Sequence, residues 1–228
     1  MSFTASECKS FLDNPTQWLD SVAISVSNLI STPTIKGKPD KLTFRASAGN
    51  GFRAAGTKET PIPVYMLTKA KEGEASFDAY IAEYHQGATT PTLLGHEADL
   101  CFTANMNGCT FGIGSQAKPA DTLLVSHGNA AGSDGLKGLS GVVKPEAISS
   151  IQNSLQHTWA RELHAEGQVF EPEHYRTNGR QSITFGWREP GKKWKFYFQS
   201  YEKKAGNKWL VYGVSPVSTN QIQDHSTQ

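Results

Sequence analysis

The apolar positions of this chain change their period several times, and each change marks an element. Between residues 5 and 31, Trp18, Leu19, Val22, Val26, Leu29 and Ile30 recur three or four apart, the spacing of one helix face. Ser6 and Thr16 stand where side-chain caps would open a short helix through Leu12 and a longer one after it. Segment 32–63 is rich in Pro, Gly, Thr and Lys, with one strand-like stretch at Lys41–Ala46. Its Gly49-Asn50-Gly51 lacks the spacing of a dinucleotide-binding loop and reads as a turn. Val64–Thr68 reads as a strand, and Ala75–His85 as a short helix with Phe77, Tyr80, Ile81 and Tyr84 on one side.

From 99 to 127 the period becomes two. Asp99–Thr103, Cys109–Ser115 and Thr122–His127 read as strands, joined by the turn cluster Asn105-Met106-Asn107-Gly108 and a turn at Gln116–Asp121. A glycine-rich loop, Gly128–Gly141, leads to a helix over Pro145–Glu162. Pro145 sits at its first position, and Ile148, Ile151, Leu155 and Trp159 form an apolar stripe. Gln181–Arg188, Lys193–Glu202 and Lys208–Pro216 read as an antiparallel meander with turns at Glu189-Pro190-Gly191 and Ala205-Gly206-Asn207. Strands, a helix and more strands predict an α+β fold: an α/β sandwich whose largely antiparallel β core is flanked by helices. The expected organisation is an N-terminal helical segment over 1–35 packed on the core, one α/β domain over 36–217, and a polar tail over 218–228.

Composition narrows the function classes. With 22 basic and 21 acidic residues among 228, no global field draws the chain to nucleic acid or a membrane, and neither is expected as a partner. The N-terminus lacks a basic leader and apolar core, so the expectation is synthesis in a cytosol without an ordinary signal peptide. Three cysteines, Cys8, Cys101 and Cys109, suggest free thiols in a reducing compartment.

Among them Cys109 is placed for chemistry. It follows a turn glycine, Gly108, at the mouth of a strand, where the backbone can take an unusual conformation and a ligand can approach. A thiol attacks as its thiolate and needs a base. A hairpin centred on Lys118 would set Cys109 opposite His127, Phe111 opposite Val125 and Ile113 opposite Leu123, all on one face. Such a pair should bring the sulfur within about 4 Å of a ring nitrogen, open onto a cleft and raise the thiolate fraction. The bland reading is a buried strand cysteine beside a satisfied strand-end histidine.

The run Asn105-Met106-Asn107-Gly108-Cys109-Thr110, with His127 on the next strand, resembles the Leu-Ser-Gly-Cys nucleophile motif of the cytotoxic necrotizing factor catalytic domain. It is similar also to Burkholderia lethal factor and the chemoreceptor glutamine deamidases that share that core. The likeness covers about residues 99–128, is specific at Gly108-Cys109, and has Met106-Asn107 where Leu-Ser is typical. Thr103 stands six positions before the cysteine, as in two branches of the group. The resemblance implies a deamidase-toxin-like fold and hydrolysis of a target-protein glutamine amide to glutamate. Cys109 would be the nucleophile, His127 the general base and Thr103 the group orienting the imidazole. A backbone carbonyl, Asn129 or Asp121 are alternative orienting groups, because a hairpin about Met106 would put Thr103 beside Cys109 instead. Gly108, Asn107 and Asn105 would frame the oxyanion and position substrate. No metal or organic cofactor is required. The implied partner is a protein presenting an exposed glutamine, with any immunity or chaperone partner unknown. The implied route is delivery of a bacterial effector into a target cell by a dedicated secretion system.

Rival readings are another Cys–His acyl-transfer enzyme (transglutaminase, cysteine protease or amidase) and a non-catalytic β-sandwich adaptor. The adaptor would use the lysines at 192, 193, 195, 203, 204 and 208 interleaved with Trp194, Phe196, Tyr197, Phe198, Tyr201 and Trp209. Cys101 reads as core. Gly95-His96-Glu97 lacks a second histidine, and His157 and His164 have no converging ligands, so no metal centre is expected.

Overall fold

A computed structural model describes residues 3–26, 29, 37–55, 58–136, 139, 142–176 and 179–217. Four α-helices are present among them: α1 (Ala5–Asp13), α2 (Pro15–Asp20), α3 (Pro145–Leu163) and α4 (Pro172–Tyr175). The strands are β1 (Ala23–Ser25), β2 (Asp40–Ala46), β3 (Asn50–Ala55), β4 (Lys58–Ile62), β5 (Val64–Lys69), β6 (Phe77–Ala82) and β7 (Ala88–Leu94). They continue with β8 (Leu100–Thr103), β9 (Thr110–Ile113), β10 (Leu123–Asn129), β11 (Gln168–Phe170), β12 (Gln181–Trp187), β13 (Lys195–Lys204) and β14 (Lys208–Pro216). The polar tail over 218–228 lies outside the described residues, as do 27, 28, 30 and 31 of the expected N-terminal helix.

The strands form two sheets. Ten run in the order β1-β5-β2-β6-β8-β12-β13-β14-β3-β4, and four in the order β11-β9-β10-β7. Only β1–β5, β6–β8 and β14–β3 pair in parallel. The architecture is mixed, rich in strands, and its sheets approach a barrel more closely than a plain two-layer sandwich. The edge strand β4, Lys-Glu-Thr-Pro-Ile, is exposed and carries charge and a proline, devices that discourage further pairing.

Over residues 3–26 the chain forms two helices, but the second ends at Asp20 instead of running on through Val26. Thr4, not Ser6, caps α1, in a reciprocal capping box with Glu7, and Asn14, not Thr16, caps α2. The chain then turns into strand β1. Val22, Ala23, Ile24, Ser25 and Val26 are all buried, so this run has no exposed face to reveal its period. The buried Gln199 fixes the change of element: its amide donates to the carbonyls of Leu19 (2.6 Å) and Val22 (2.8 Å) and accepts from the Ile24 N–H (3.1 Å). Ala75–His85 is corrected for the same reason. It is strand β6, with Phe77, Ala79 and Ile81 facing one core and Tyr80 and Ala82 the other, so burial on both faces mimicked a helical stripe.

There are two such cores. One lies between the long sheet and the N-terminal helices, where Phe3, Phe11, Trp18, Phe44, Phe77 and Phe102 meet, largely edge to face. The other fills the space between the sheets with Cys101, Met106, Cys109, Phe111, Val125, Phe170, Tyr175 and Phe196. Helix α3 covers the outer face of the small sheet.

Candidate active site

The expected hairpin of 99–103 with 109–115 does not form. β8 lies in the long sheet between β6 and β12, whereas β9 lies in the small sheet between β10 and β11. The intervening segment crosses between sheets. It is pinned on the way by Met106, which exchanges backbone hydrogen bonds with Ser182 (2.7 and 3.0 Å).

At the end of this crossing Gly108 has φ +89°, a conformation side chains other than glycine rarely adopt. Its peptide is held from several directions. The Gly108 N–H donates to Tyr175 Oη (3.0 Å), whose hydroxyl donates onward to the Cys109 carbonyl (2.8 Å). The Gly108 carbonyl accepts from Gln156 Nε2 (3.0 Å) and Gln152 Nε2 (3.3 Å). Cys109 therefore enters β9 on a backbone clamped by α3 and α4. The residue is only 4% exposed, and burial pushes its thiol up to about 11, against the expected activation. A backbone hydrogen bond from Asn107 and the positive charge of Arg176 oppose that rise.

His127 is wholly buried on β10 and stands opposite Phe111, with Val125 opposite Ile113. The expected register is thus displaced by two residues. The turn explains it: Asp121 accepts from the Lys118 N–H (2.9 Å) and donates its own N–H to the Lys118 carbonyl (3.1 Å). Pro119 thereby falls at the second turn position, and the hairpin centres there instead of on Lys118. A one-residue error in the centre moves the pairing by two and keeps every side chain on its face. Cys109 lies just before the paired stretch and packs with Phe111 and Val125; continuing the register by one residue sets it diagonal to His127 on that face, where a regular ladder gives roughly 7–8 Å instead of 4.5–5.5 Å. Among the described residues His127 Nε2 has no hydrogen-bond partner, so the two side chains make no hydrogen bond. Its other ring nitrogen, Nδ1, lies 3.3 Å from the Ala82 carbonyl. A carbonyl only accepts, so Nδ1 carries the proton and Nε2 the lone pair. Desolvation lowers the imidazole to about 4 and keeps it neutral.

The orienting group is thus a backbone carbonyl. Thr103 is corrected as the group that holds the ring: its hydroxyl accepts from the Thr184 N–H (3.0 Å) within the long sheet, where Thr103 pairs with the same Ala82 whose carbonyl meets the imidazole. Asn129 and Asp121 spend their side chains on the N–H groups of Ala131 and Lys118. Asn105 accepts from the Val26 N–H (2.9 Å), so that oxygen is engaged in anchoring the end of β1. Asn107 is exposed, and the Gly108 N–H is already taken by Tyr175.

Tyr175, Gln152, Gln156 and Arg176 are the neighbours that pattern reading missed. In α3 the apolar stripe is not the buried one: Ile151 is 38% exposed, whereas Gln156, Ala160 and the following His164 are buried. The sheet face beneath explains the inversion, since it presents Thr89, Thr110, Gly112, Ser126 and Gly128, small or polar residues that a polar stripe complements. His164 Nε2 lies 2.9 Å from Ser126 Oγ, and a Cβ on Gly112 would come within 2.4 Å of the His164 ring. Pro172 preceded by Glu171 was the available signal for α4. Comparison with models of known protein families and with curated proteins finds no match.

Proposed function

We propose that this protein is a glutamine deamidase of the toxin or effector type, which hydrolyses a side-chain amide of a target protein through Cys109 and His127. The observation that carries the reading is the state of His127: a buried neutral imidazole, its tautomer fixed by Ala82, with an unpartnered Nε2 lone pair on the face that also bears the thiol. A buried acceptor left without a partner costs on the order of 1–3 kcal/mol, which a proton-accepting role would explain. Cys109 supports the reading through its position, at a strand mouth behind a left-handed glycine.

The chemistry is acyl transfer. Cys109 Sγ gives its proton to His127 Nε2 and attacks the amide carbon. The carbonyl electron pair moves onto oxygen, then returns as the C–N bond breaks and ammonia leaves with the proton from Nε2. Water, deprotonated by Nε2, attacks the thioester, the C–S bond breaks, the thiol regains its proton and glutamate remains. Reaction requires the covered thiol to open to substrate and the diagonal pair to close. In this reading the two curved sheets and α3 correspond to the α/β sandwich of the deamidase toxins, the substrate is a folded protein with an exposed glutamine, and delivery is by a dedicated secretion system.

A second reading, a non-catalytic adaptor, is favoured by the burial of Cys109 and by His127 Nε2 making no hydrogen bond to it among the described residues. Two measurements separate them. Lysate proteins captured by Cys109→Ser and then treated with wild type should gain glutamate at particular glutamines. Cys109 should also outpace Cys8 and Cys101 in iodoacetamide labelling. An adaptor gives neither result.

A further inference from the structure

Arg176 follows α4 directly and is exposed, and its Nη1 would lie 3.2 Å from a Cβ on Gly108. The guanidinium thus rests on the one surface of the Cys109 turn that glycine leaves bare. It makes no ion pair with any carboxylate among the described residues, unlike Arg45, Arg53 and Arg188, which hold Glu74, Asp20 and Asp99. Its charge reaches both the Cys109 sulfur and the Tyr175 phenol.

We infer that Arg176 is a substrate-binding residue at the mouth of the Cys109 site, and that it selects glutamines with a carboxylate close by. This rests on the deamidase reading and adds the chemistry of the target to it. An unpaired guanidinium offers planar, bidentate recognition of a carboxylate.

The test uses the full chain and two alkylating reagents of similar size and opposite character, anionic iodoacetate and neutral iodoacetamide. The rate at Cys109 is followed by peptide mass spectrometry at low salt. A change in thiolate fraction affects both reagents alike, so the ratio of rates, referred to that of glutathione, isolates the charge at the mouth. The expected ratio is about threefold or more above glutathione in the wild type and in Arg176→Lys, falling to the glutathione value in Arg176→Gln and below it in Arg176→Glu. A ratio that Arg176→Gln and Arg176→Glu leave unchanged overturns the inference even where glutamines are deamidated. A charge-dependent ratio beside lysate conversion that survives in Cys109→Ser overturns the deamidase reading instead. Failure of either reagent to label Cys109 in any variant overturns both.

Discussion

Strand β8 and the mouth of β9 each offer a buried cysteine to the space between the two sheets, and they differ in what surrounds them. Cys101 sits in mid-strand, paired with Tyr80 on one side and Gly186 on the other, and burial pushes its thiol up to about 12. Cys109 sits where the strand begins, behind a left-handed glycine, within reach of Arg176 and on a peptide held by Tyr175, Gln152 and Gln156. Exposure alone, 1% against 4%, would not separate them. What separates them is that ordered polar groups converge on one and ladder neighbours on the other.

The sharpest way to break this comparison is to exchange the sulfur at each place. Cys109→Ser should lower glutamine deamidation at least about 10³-fold, since an alcohol beside a neutral imidazole is a far poorer nucleophile. Cys101→Ser should leave the rate within about twofold and appear as a stability loss of about 1–3 kcal/mol in urea titrations. The reverse pattern would make β8 the functional strand.

The meander was legible because its turns are: Lys208–Pro216 is the strand that the alternation and Ala205-Gly206-Asn207 define, and Gly206 and Asn207 do take positive φ. Cys109 and His127 share a face because parity survives a two-residue slip. Illegible were features set by distant chain. Thr103 and Cys109 are six apart yet lie in different sheets, a choice made by β12 and β11, which pair with β8 and β9 from far along the chain. Gln156 reads as exposed until the sheet face under α3 proves polar. Strand β6 is disguised because both its faces are covered.

His127 links the two regions, holding the Ala82 carbonyl next to β8 and sharing a face with Cys109. Its pKa falls from 6.5 unfolded to about 4 folded. Between those values the unfolded chain binds the extra proton, so stability is fully present above pH 6.5 and is lost as pH falls through 4. The loss amounts to roughly 3 kcal/mol for this group. Urea midpoints measured from pH 7 to 4 should fall less steeply in His127→Gln. His164, also lowered to about 4 by burial, keeps part of the slope in that variant. Equal slopes would mean that the imidazole is not buried neutral.

Removing one oxygen sharpens the contrast further. Tyr175→Phe leaves the Gly108 N–H and the Cys109 carbonyl unpaired inside the protein, so a loss of about 2 kcal/mol is expected in denaturant titrations. In parallel, the turn before β9 should show faster amide exchange while β8 stays protected. Equal protection at both places would mean that the clamp is not what orders the Cys109 turn.

The smallest effect is expected at Thr103, and it decides what that residue is for. Its hydroxyl accepts the buried Thr184 N–H, so Thr103→Val should cost about 1–2 kcal/mol through an unpaired backbone donor in the long sheet. The imidazole is held by Ala82 instead, so the pH profile of Cys109 alkylation should coincide with that of the wild type once both are fully folded. In His127→Gln the same profile should lose rate, because the proton acceptor on that face is gone. A Thr103→Val profile displaced along the pH axis would show that the hydroxyl acts on the dyad, and would return Thr103 from the scaffold of β8 to the site at β9.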